Sequence, residues 1–489
     1  MDKLCFPLLL LLLLVQLCMQ LAASYSTVKF LPGFQGPLPF ELETGYVGVG
    51  ESGDAQLFYY FVKSEKNPRE DPLLLWLTGG PGCSAFSGLA YEIGPINFNV
   101  VEYNGSLPTL HLNPYSWTKE ASILFVDSPV GTGYSYAKTP LASQAGDFKQ
   151  VQQVDQFLRK WLLDHPELLS NPVYIGGDSY SGLVVPALVQ QISNGTAISF
   201  DYGHAENEED IKPLINLQGY ILGNAATEPT VEENSKIPFA HGMGLISNEL
   251  YESLKMGCGG EYVNVDPKNE VCLNDIQAFS KLTSEIEGAH ILEPRCPFSS
   301  PKPRESSRKR RSLNVNEQSQ EFLVPEPPLP TIGCRTYGYL LSYYWNNDYN
   351  VRKALRIRLG SKGEWQRCNF GLPYAREIHS SFSYHVSLST KGYRSLIYSG
   401  DHDMMVPFLG TEAWIKSLNY SIADDWRPWI LHSQVAGLKI FGIWLYRYTR
   451  TYSNRMTYAT VKGGGHTAPE YRPAECYAMF QRWINHDPL

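Results

Sequence analysis

The chain has 489 residues, 43% apolar and 13% aromatic, with 18% charged and a formal charge of -8. That composition can bury a large core and excludes a disordered chain, while the acidic balance argues against nucleic acid and gives no reason to expect an anionic membrane surface. Small molecules or peptides remain as ligands; length leaves the domain count open, because α/β enzymes with insertions reach this size as one unit.

Met1 to Ser24 reads as a signal peptide. Lys3 precedes the apolar run Pro7 to Val15, and Ala22 and Ser24 stand where a signal peptidase prefers small residues. Gln16 and Gln20 break the run short of the ~20 residues a membrane span needs. The mature chain is expected to start near Tyr25, with no membrane anchor once the leader is removed. Sequons at Asn104, Asn194 and Asn419 are consistent with glycosylation on a secretory route. Cys5 and Cys18 leave with the leader, and the seven later cysteines suggest up to three disulfides and one leftover thiol in an oxidising compartment. No pair among Cys83, Cys258, Cys272, Cys296, Cys334, Cys368 and Cys476 has the C-x-x-C spacing of a structural zinc site, so no metal is expected.

Gly45 to Lys63 alternates as two strands around the turn Gly50 to Asp54. Its Gly48-x-Gly50-x-x-Gly53 match is followed by a β-prone run and not by a helix, so it reads as a hairpin and not as a dinucleotide loop. Leu73 to Leu77 is a buried-type strand that empties into Thr78-Gly-Gly-Pro-Gly-Cys-Ser84. Ser122 to Asp127 is another strand. Asp147 to Asp164 is an amphipathic helix with Phe148, Val151, Val154, Phe157, Leu158, Trp161 and Leu162 on its core side.

Val173 to Gly182 runs from a strand through Gly177-Asp-Ser-Tyr-Ser181 towards a helix. A nucleophilic serine at an α/β-hydrolase elbow needs small residues two before and two after it, and Gly177 and Ser181 fill those places around Ser179. Taken alone, Gly-Asp-Ser is also common loop punctuation. Strand, helix and strand in succession make a βαβ unit and predict a parallel sheet. Leu217 to Leu222 adds a strand, and from Asn224 to Cys334 short helical patterns replace strands, which reads as a lid insertion. Within it, 298–330 is polar and proline-rich and carries Arg308-Lys-Arg-Arg311, a solvated or cuttable linker.

Late in the chain, Arg394 to Tyr398 runs into Ser-Gly-Asp401-His-Asp403, and Met456 to Val461 into Gly463-Gly-Gly-His466. Three strand ends thus present serine, aspartate and histidine in the order Ser179, Asp403, His466, the chain order of α/β-hydrolases. In that arrangement Ser179 is the nucleophile, His466 the general base and acid, and Asp403 the group that orients the imidazole, with Asp401 the second choice. The Gly80 and Tyr180 backbone N–H groups are the expected oxyanion donors.

Trp76-Leu-Thr-Gly-Gly-Pro-Gly-Cys-Ser84, Gly177-Asp-Ser-Tyr-Ser-Gly182, Ser399-Gly-Asp-His-Asp403 and Gly463-Gly-Gly-His-Thr-Ala-Pro469 closely resemble the plant serine carboxypeptidase-like family, from about Leu31 to Leu489. The resemblance implies one α/β-hydrolase domain over 25–489 with a mainly helical lid at about 224–334, and it favours Asp403 over Asp401. It implies disulfides Cys83–Cys368, Cys258–Cys272 and Cys296–Cys334, with Cys476 free. Localisation in the secretory pathway, ending in the vacuole or outside the cell, also follows from it.

Peptidases of the family recognise a C-terminal carboxylate with Asn in a Trp-x-Asn-Gly-Gly loop, Glu before the serine and a second Glu. This chain keeps Trp76 and Glu92 but carries Thr78 and Asp178 at the other two substrate-binding places. Its Gly-Asp-Ser-Tyr-Ser-Gly form resembles the acyltransferases that use 1-O-β-glucose esters of phenolic acids. The implied partners are such a glucose ester and an acceptor hydroxyl, with a peptide C-terminus as the alternative. No cofactor is implied, because the ester is already activated. One run departs from the family: Leu-Lys-Ile-Phe-Gly-Ile-Trp-Leu-Tyr-Arg at 438–447 has no counterpart there, and reads as a pocket elaboration or as an unspliced segment.

Overall fold

A computed structural model describes residues 25–198, 215–296, 300, 329–431, 434–435 and 448–489. The leader, nearly all of the 298–330 linker and the 438–447 run lie outside the described residues.

The large sheet is built from β1 (Tyr25–Val28), β2 (Leu42–Val49), β3 (Ala55–Val62), β4 (Leu73–Leu77), β5 (Ser122–Val126), β6 (Val173–Asp178), β7 (Leu217–Gly223), β8 (Arg394–Gly400), β9 (Ile422–Pro428), β10 (Tyr448–Tyr452) and β11 (Met456–Val461). Their order is β1-β2-β3-β5-β4-β6-β7-β8-β11-β10-β9, and a short strand at Tyr136–Ala137 also pairs with β3. Strands β5, β4, β6, β7, β8 and β11 are mutually parallel. Antiparallel strands close both flanks. This is the α/β-hydrolase fold. Because β4, β6, β8 and β11 are parallel, their carboxyl ends open on one edge of the sheet, where open α/β sheets place their sites.

The sheet is buried on both faces, as continuous apolar strands require. Along β4, Leu73, Leu75 and Leu77 join one core, which takes in Phe157, Trp161, Val185 and Leu188. Leu74 and Trp76 join the other, with Trp117, Tyr398 and Phe480. Helices α1 (Asp147–Asp164) and α2 (Ser181–Ile198) pack on the first face. Phe148 departs from the expected core stripe and is 47% exposed. In the first turn of α1 the inward place is taken by Asp147, whose carboxylate accepts from the Glu377 and Ile378 N–H groups and from the Tyr180 and Tyr374 hydroxyls, so the next residue points outward.

After β7 come α3 (Pro229–Gly242), α4 (Asn248–Cys258) and α5 (Glu270–Thr283). Ser247 and Asn269 cap the last two by accepting from Leu250 and Cys272 N–H, and Gly259 ends α4 in the left-handed conformation. Their small core of Ile237, Ala240, Ile246 and Leu254 is separate from the two main ones. Val271 and Leu282 on α5 are exposed. Helix α6 (Thr336–Asn347) returns the chain to the main core through Tyr337, Leu340, Leu341 and Trp345. Three disulfides tie the molecule: Cys83–Cys368, Cys258–Cys272 between α4 and α5, and Cys296–Cys334; Cys476 is buried and belongs to none of these bridges. Asn104, Asn194 and Asn419 are all exposed, and no described helix is long and apolar enough to cross a membrane.

Candidate active site

Strand β6 ends in a turn tight enough to force Ser179 to a φ of 55°, the left-handed region that a side chain rarely adopts. The Ser179 N–H donates to Gly223 O, and its carbonyl accepts from Gly182 and Ala226 N–H, so the elbow is held from three sides. Crowding explains the small residue two positions earlier. A Cβ on Gly177 would lie 2.5 Å from Leu77 O and 2.7 Å from Ser181 Cβ. Ser181 is itself buried, and its hydroxyl donates to Leu77 O at 3.1 Å.

The ends of β8 and β11 complete a relay. Ser179 Oγ is 2.8 Å from His466 Nε2, and His466 Nδ1 is 2.8 Å from Asp403 Oδ2. The fully buried Asp403 carboxylate is an acceptor only, so the Nδ1 atom carries the proton and Nε2 is left to accept from the serine hydroxyl. Asp403 Oδ1 accepts from Met405 and Val406 N–H, while Oδ2 also accepts from the Asn224 amide at 2.9 Å. Asp401 is turned away: it accepts from Gly463 N–H at 2.6 Å and pairs with Lys462 at 2.8 Å, which braces the turn before His466. Burial by itself disfavours imidazolium at His466, but the Asp403 carboxylate and then Asp178 outweigh it and raise the group above the usual histidine range.

The loop after β4 lies against this elbow. A Cβ on Gly79 would come within 2.7 Å of both Ser179 Cβ and Tyr180 N, so only glycine allows the approach. Gly80 has φ +119°, and a Cβ there would press on Cys83 N and Sγ at 3.0 Å. Among the described residues the Gly80 and Tyr180 N–H groups are spent in none of the turn or loop hydrogen bonds; Tyr180 directly follows Ser179, and Gly80 lines the same cavity as it. The tyrosine side chain points elsewhere, donating to Asp147.

Beneath the elbow is a buried acid pair. Asp178 accepts from Gly79 N–H at 3.1 Å, and burial raises its carboxyl, with the His466 charge acting against this. Glu92 is raised strongly, first by burial and then by the Asp178 charge, with the nearby Trp76 indole N–H acting against this. The Thr78 hydroxyl is buried and, among the described residues, without a hydrogen-bond partner. Of the four substrate-binding positions expected from the sequence, Thr78 and Asp178 line the cavity that holds Ser179, whereas Trp76 packs against Gly176 and Gly88 and Glu92 is buried near Asp178, neither of them in the cavity lining.

A cavity of about 240 Å³ opens over Ser179 and His466, lined by Thr78, Gly79, Gly80 and Asp178 on the elbow side. Its other wall is aromatic and charged. Tyr339, Tyr471, Phe370 and Met405 line it, with Arg367 stacked over Tyr339 at 3.8 Å and Arg335 over Tyr471 at 4.0 Å. Arg335 also pairs with Glu293 and, at 3.6 Å, with Glu470. For these wall residues, Asn224 and Gly79 no role is predicted from the sequence. Asn224 directly follows β7 at the sheet edge where the relay sits, a signal that could have found it, whereas the wall residues carry no local motif.

A model of the serine carboxypeptidase family matches residues 32–486. The chain belongs to the serine carboxypeptidase family. Its similar relatives include Serine carboxypeptidase-like 19 of Arabidopsis thaliana, 54% identical with 94% of each chain covered, and Serine carboxypeptidase-like 7 of the same plant, 53% identical with 98% of each covered. Among solved structures it is similar to the prohormone-processing carboxypeptidase Kex1Δp of Saccharomyces cerevisiae, at 18% identity with a TM-score of 0.67 over 94% of this chain and 95% of that one. At that identity the likeness shows the fold alone. As an enzyme of the serine carboxypeptidase family with three disulfides, the chain fits the secretory pathway.

Proposed function

We propose that the chain is an acyltransferase that moves a phenolic acyl group from a 1-O-β-glucose ester to an acceptor hydroxyl through an acyl-Ser179 intermediate, in the vacuole or outside the cell. Ser179 Oγ attacks the ester carbonyl while His466 Nε2 takes the hydroxyl proton, and the oxyanion is held by Gly80 and Tyr180 N–H. His466 returns that proton to the departing glucose oxygen. It then removes the proton of the acceptor hydroxyl, whose oxygen attacks the acyl carbon, and finally restores it to Ser179.

The observation that carries this reading is the state of the pocket floor. Where a peptidase holds a peptide carboxylate, this chain offers a lone Thr78 hydroxyl and an Asp178 carboxyl already engaged by Gly79 N–H. Aspartate is shorter than glutamate by about one bond, roughly 1.5 Å, so its carboxyl reaches less far toward a bound terminus. The aromatic wall of Tyr339, Tyr471 and Phe370 suits a phenolic acyl group. Mass analysis of products from the pure protein with a panel of phenolic glucose esters and alcohols tests the reading. Transfer products support it, and their absence with every pair contradicts it.

One observation favours a peptidase reading in acid. Because burial raises both Glu92 and Asp178, and the Asp178 charge raises Glu92 further, the pair keeps a proton as pH rises from the acid side, and a protonated carboxyl can donate to a peptide terminus. Acyl transfer does not need that proton, although like hydrolysis it needs His466 neutral. Its rate is expected to climb as pH passes through a histidine pKa raised above the ordinary value. Asp178→Asn removes a charge that stabilises imidazolium, so the acid limb of kcat/KM should move to lower pH. A limb that stays in place or moves upward would contradict the coupling.

A further inference from the structure

Between α5 and Cys296 the chain crosses the loops that carry Asp403 and His466. Met404 N–H donates to Gly288 O at 2.9 Å, His466 N–H to Ala289 O at 2.7 Å, and Ile291 N–H to His402 O at 3.1 Å. The side chain between these bonds is buried His290. Its Nδ1 accepts from Leu292 N–H and its Nε2 faces Gly463 O, each at 3.3 Å, so the ring has one tautomer that satisfies both. The ring stacks on Tyr471 at 4.7 Å and meets His402 edge-on at 5.1 Å. Gly465 is the counterpart of this crossing. A Cβ there would come within 2.4 Å of Ala289 O and 2.9 Å of His290 Cδ2.

We propose that residues 288–291 form a positioning strap for the relay, with His290 as its pin, so that the lid side of the molecule sets the aim of His466 at Ser179. The His466 backbone hangs from the strap by its own N–H, and the loop holding Asp403 is bonded to the same four residues on both sides of Asp403, at His402 and at Met404. Moving the strap therefore moves the base and its orienting carboxylate together. The strap also shares Ala289 with the cavity wall, and Glu287 and Glu293 flank it there, so substrate wall and base alignment come from one segment. The proposal rests on Ser179 and His466 being nucleophile and base, and not on the identity of the acyl acceptor.

The test is the rate at which diisopropyl fluorophosphate labels Ser179, a step in which the Oγ–P bond forms, fluoride leaves and His466 takes the serine proton. His290→Ala is expected to lower the maximal labelling rate by about 10- to 100-fold, the scale of a small misalignment, with little change in the half-saturating concentration. His290→Gln, whose amide can donate to Gly463 O, should recover most of the rate. Gly465→Ala keeps His290 but pushes Ala289 away, and should lose rate to a similar extent even if His290→Ala yields no folded protein. Unchanged labelling in His290→Ala or Gly465→Ala, or a loss in His290→Ala that glutamine leaves uncorrected, would overturn the strap. No labelling of the unmodified chain would overturn Ser179 as nucleophile and the strap with it. Labelling at Ser179 without any acyl transfer would overturn the acyltransferase reading alone.

Discussion

Ser179→Ala and His466→Ala are each expected to cut turnover by about 10⁴-fold or more while leaving the thermal unfolding midpoint near that of the unmodified chain, because relay members act as one unit and residual rate comes from the oxyanion donors and binding. Asp403→Asn should cost a similar amount for a more particular reason. The Met405 and Val406 N–H groups fix the amide oxygen at the Oδ1 place, which turns the amide nitrogen toward His466 Nδ1. A donor facing Nδ1 leaves the proton on Nε2, where the serine hydroxyl needs an acceptor. Asp401→Asn keeps an oxygen for Gly463 N–H and loses only the Lys462 pair, so its effect should be much smaller. Steady-state kinetics of the four variants check this, and an Asp401→Asn loss exceeding that of Asp403→Asn would reverse the assignment.

The second large effect is expected from Thr78→Asn combined with Asp178→Glu. The pair restores an amide that both donates and accepts and a carboxyl that reaches about 1.5 Å further into the pocket. Glu92 is already in place, buried and within reach of the Asp178 charge. The ratio of dipeptide hydrolysis to acyl transfer should rise by about 10-fold or more, as expected when a buried site regains a missing hydrogen-bonding partner. An unchanged ratio would mean that these two positions do not set specificity.

The relay was legible in the sequence because each of its members sits where a β-prone run meets glycines. Chain order alone then separated Ser179, Asp403 and His466 from isolated turns. Helix α1 was legible to the residue, Asp147–Asp164, since its apolar spacing is unbroken. What stayed hidden depends on distant contacts. Asn224 follows β7 at the relay's sheet edge, but its role comes from an amide that reaches Asp403 after the adjacent β8, which spacing in the sequence does not show. Phe148 fits an apolar stripe by spacing, but the buried Asp147 beside it overrides that pattern. The strap at 288–291 has no apolar period at all, because its bonds run through backbone atoms. Arg335, Arg367 and Glu470 are charged residues in ordinary-looking stretches, and they become a wall only when α6 and the Cys83–Cys368 loop are folded against the cavity.

The most direct test of the acyltransferase reading is a competition in the unmodified protein. A blocked dipeptide and a sinapoyl- or galloyl-type glucose ester are supplied at equal concentrations together with an alcohol acceptor, and products are measured by mass. The account predicts an acyl-alcohol ester and free glucose as the dominant products, with little amino acid released. Efficient dipeptide cleavage with no transfer to any acceptor would contradict it and leave the chain a carboxypeptidase.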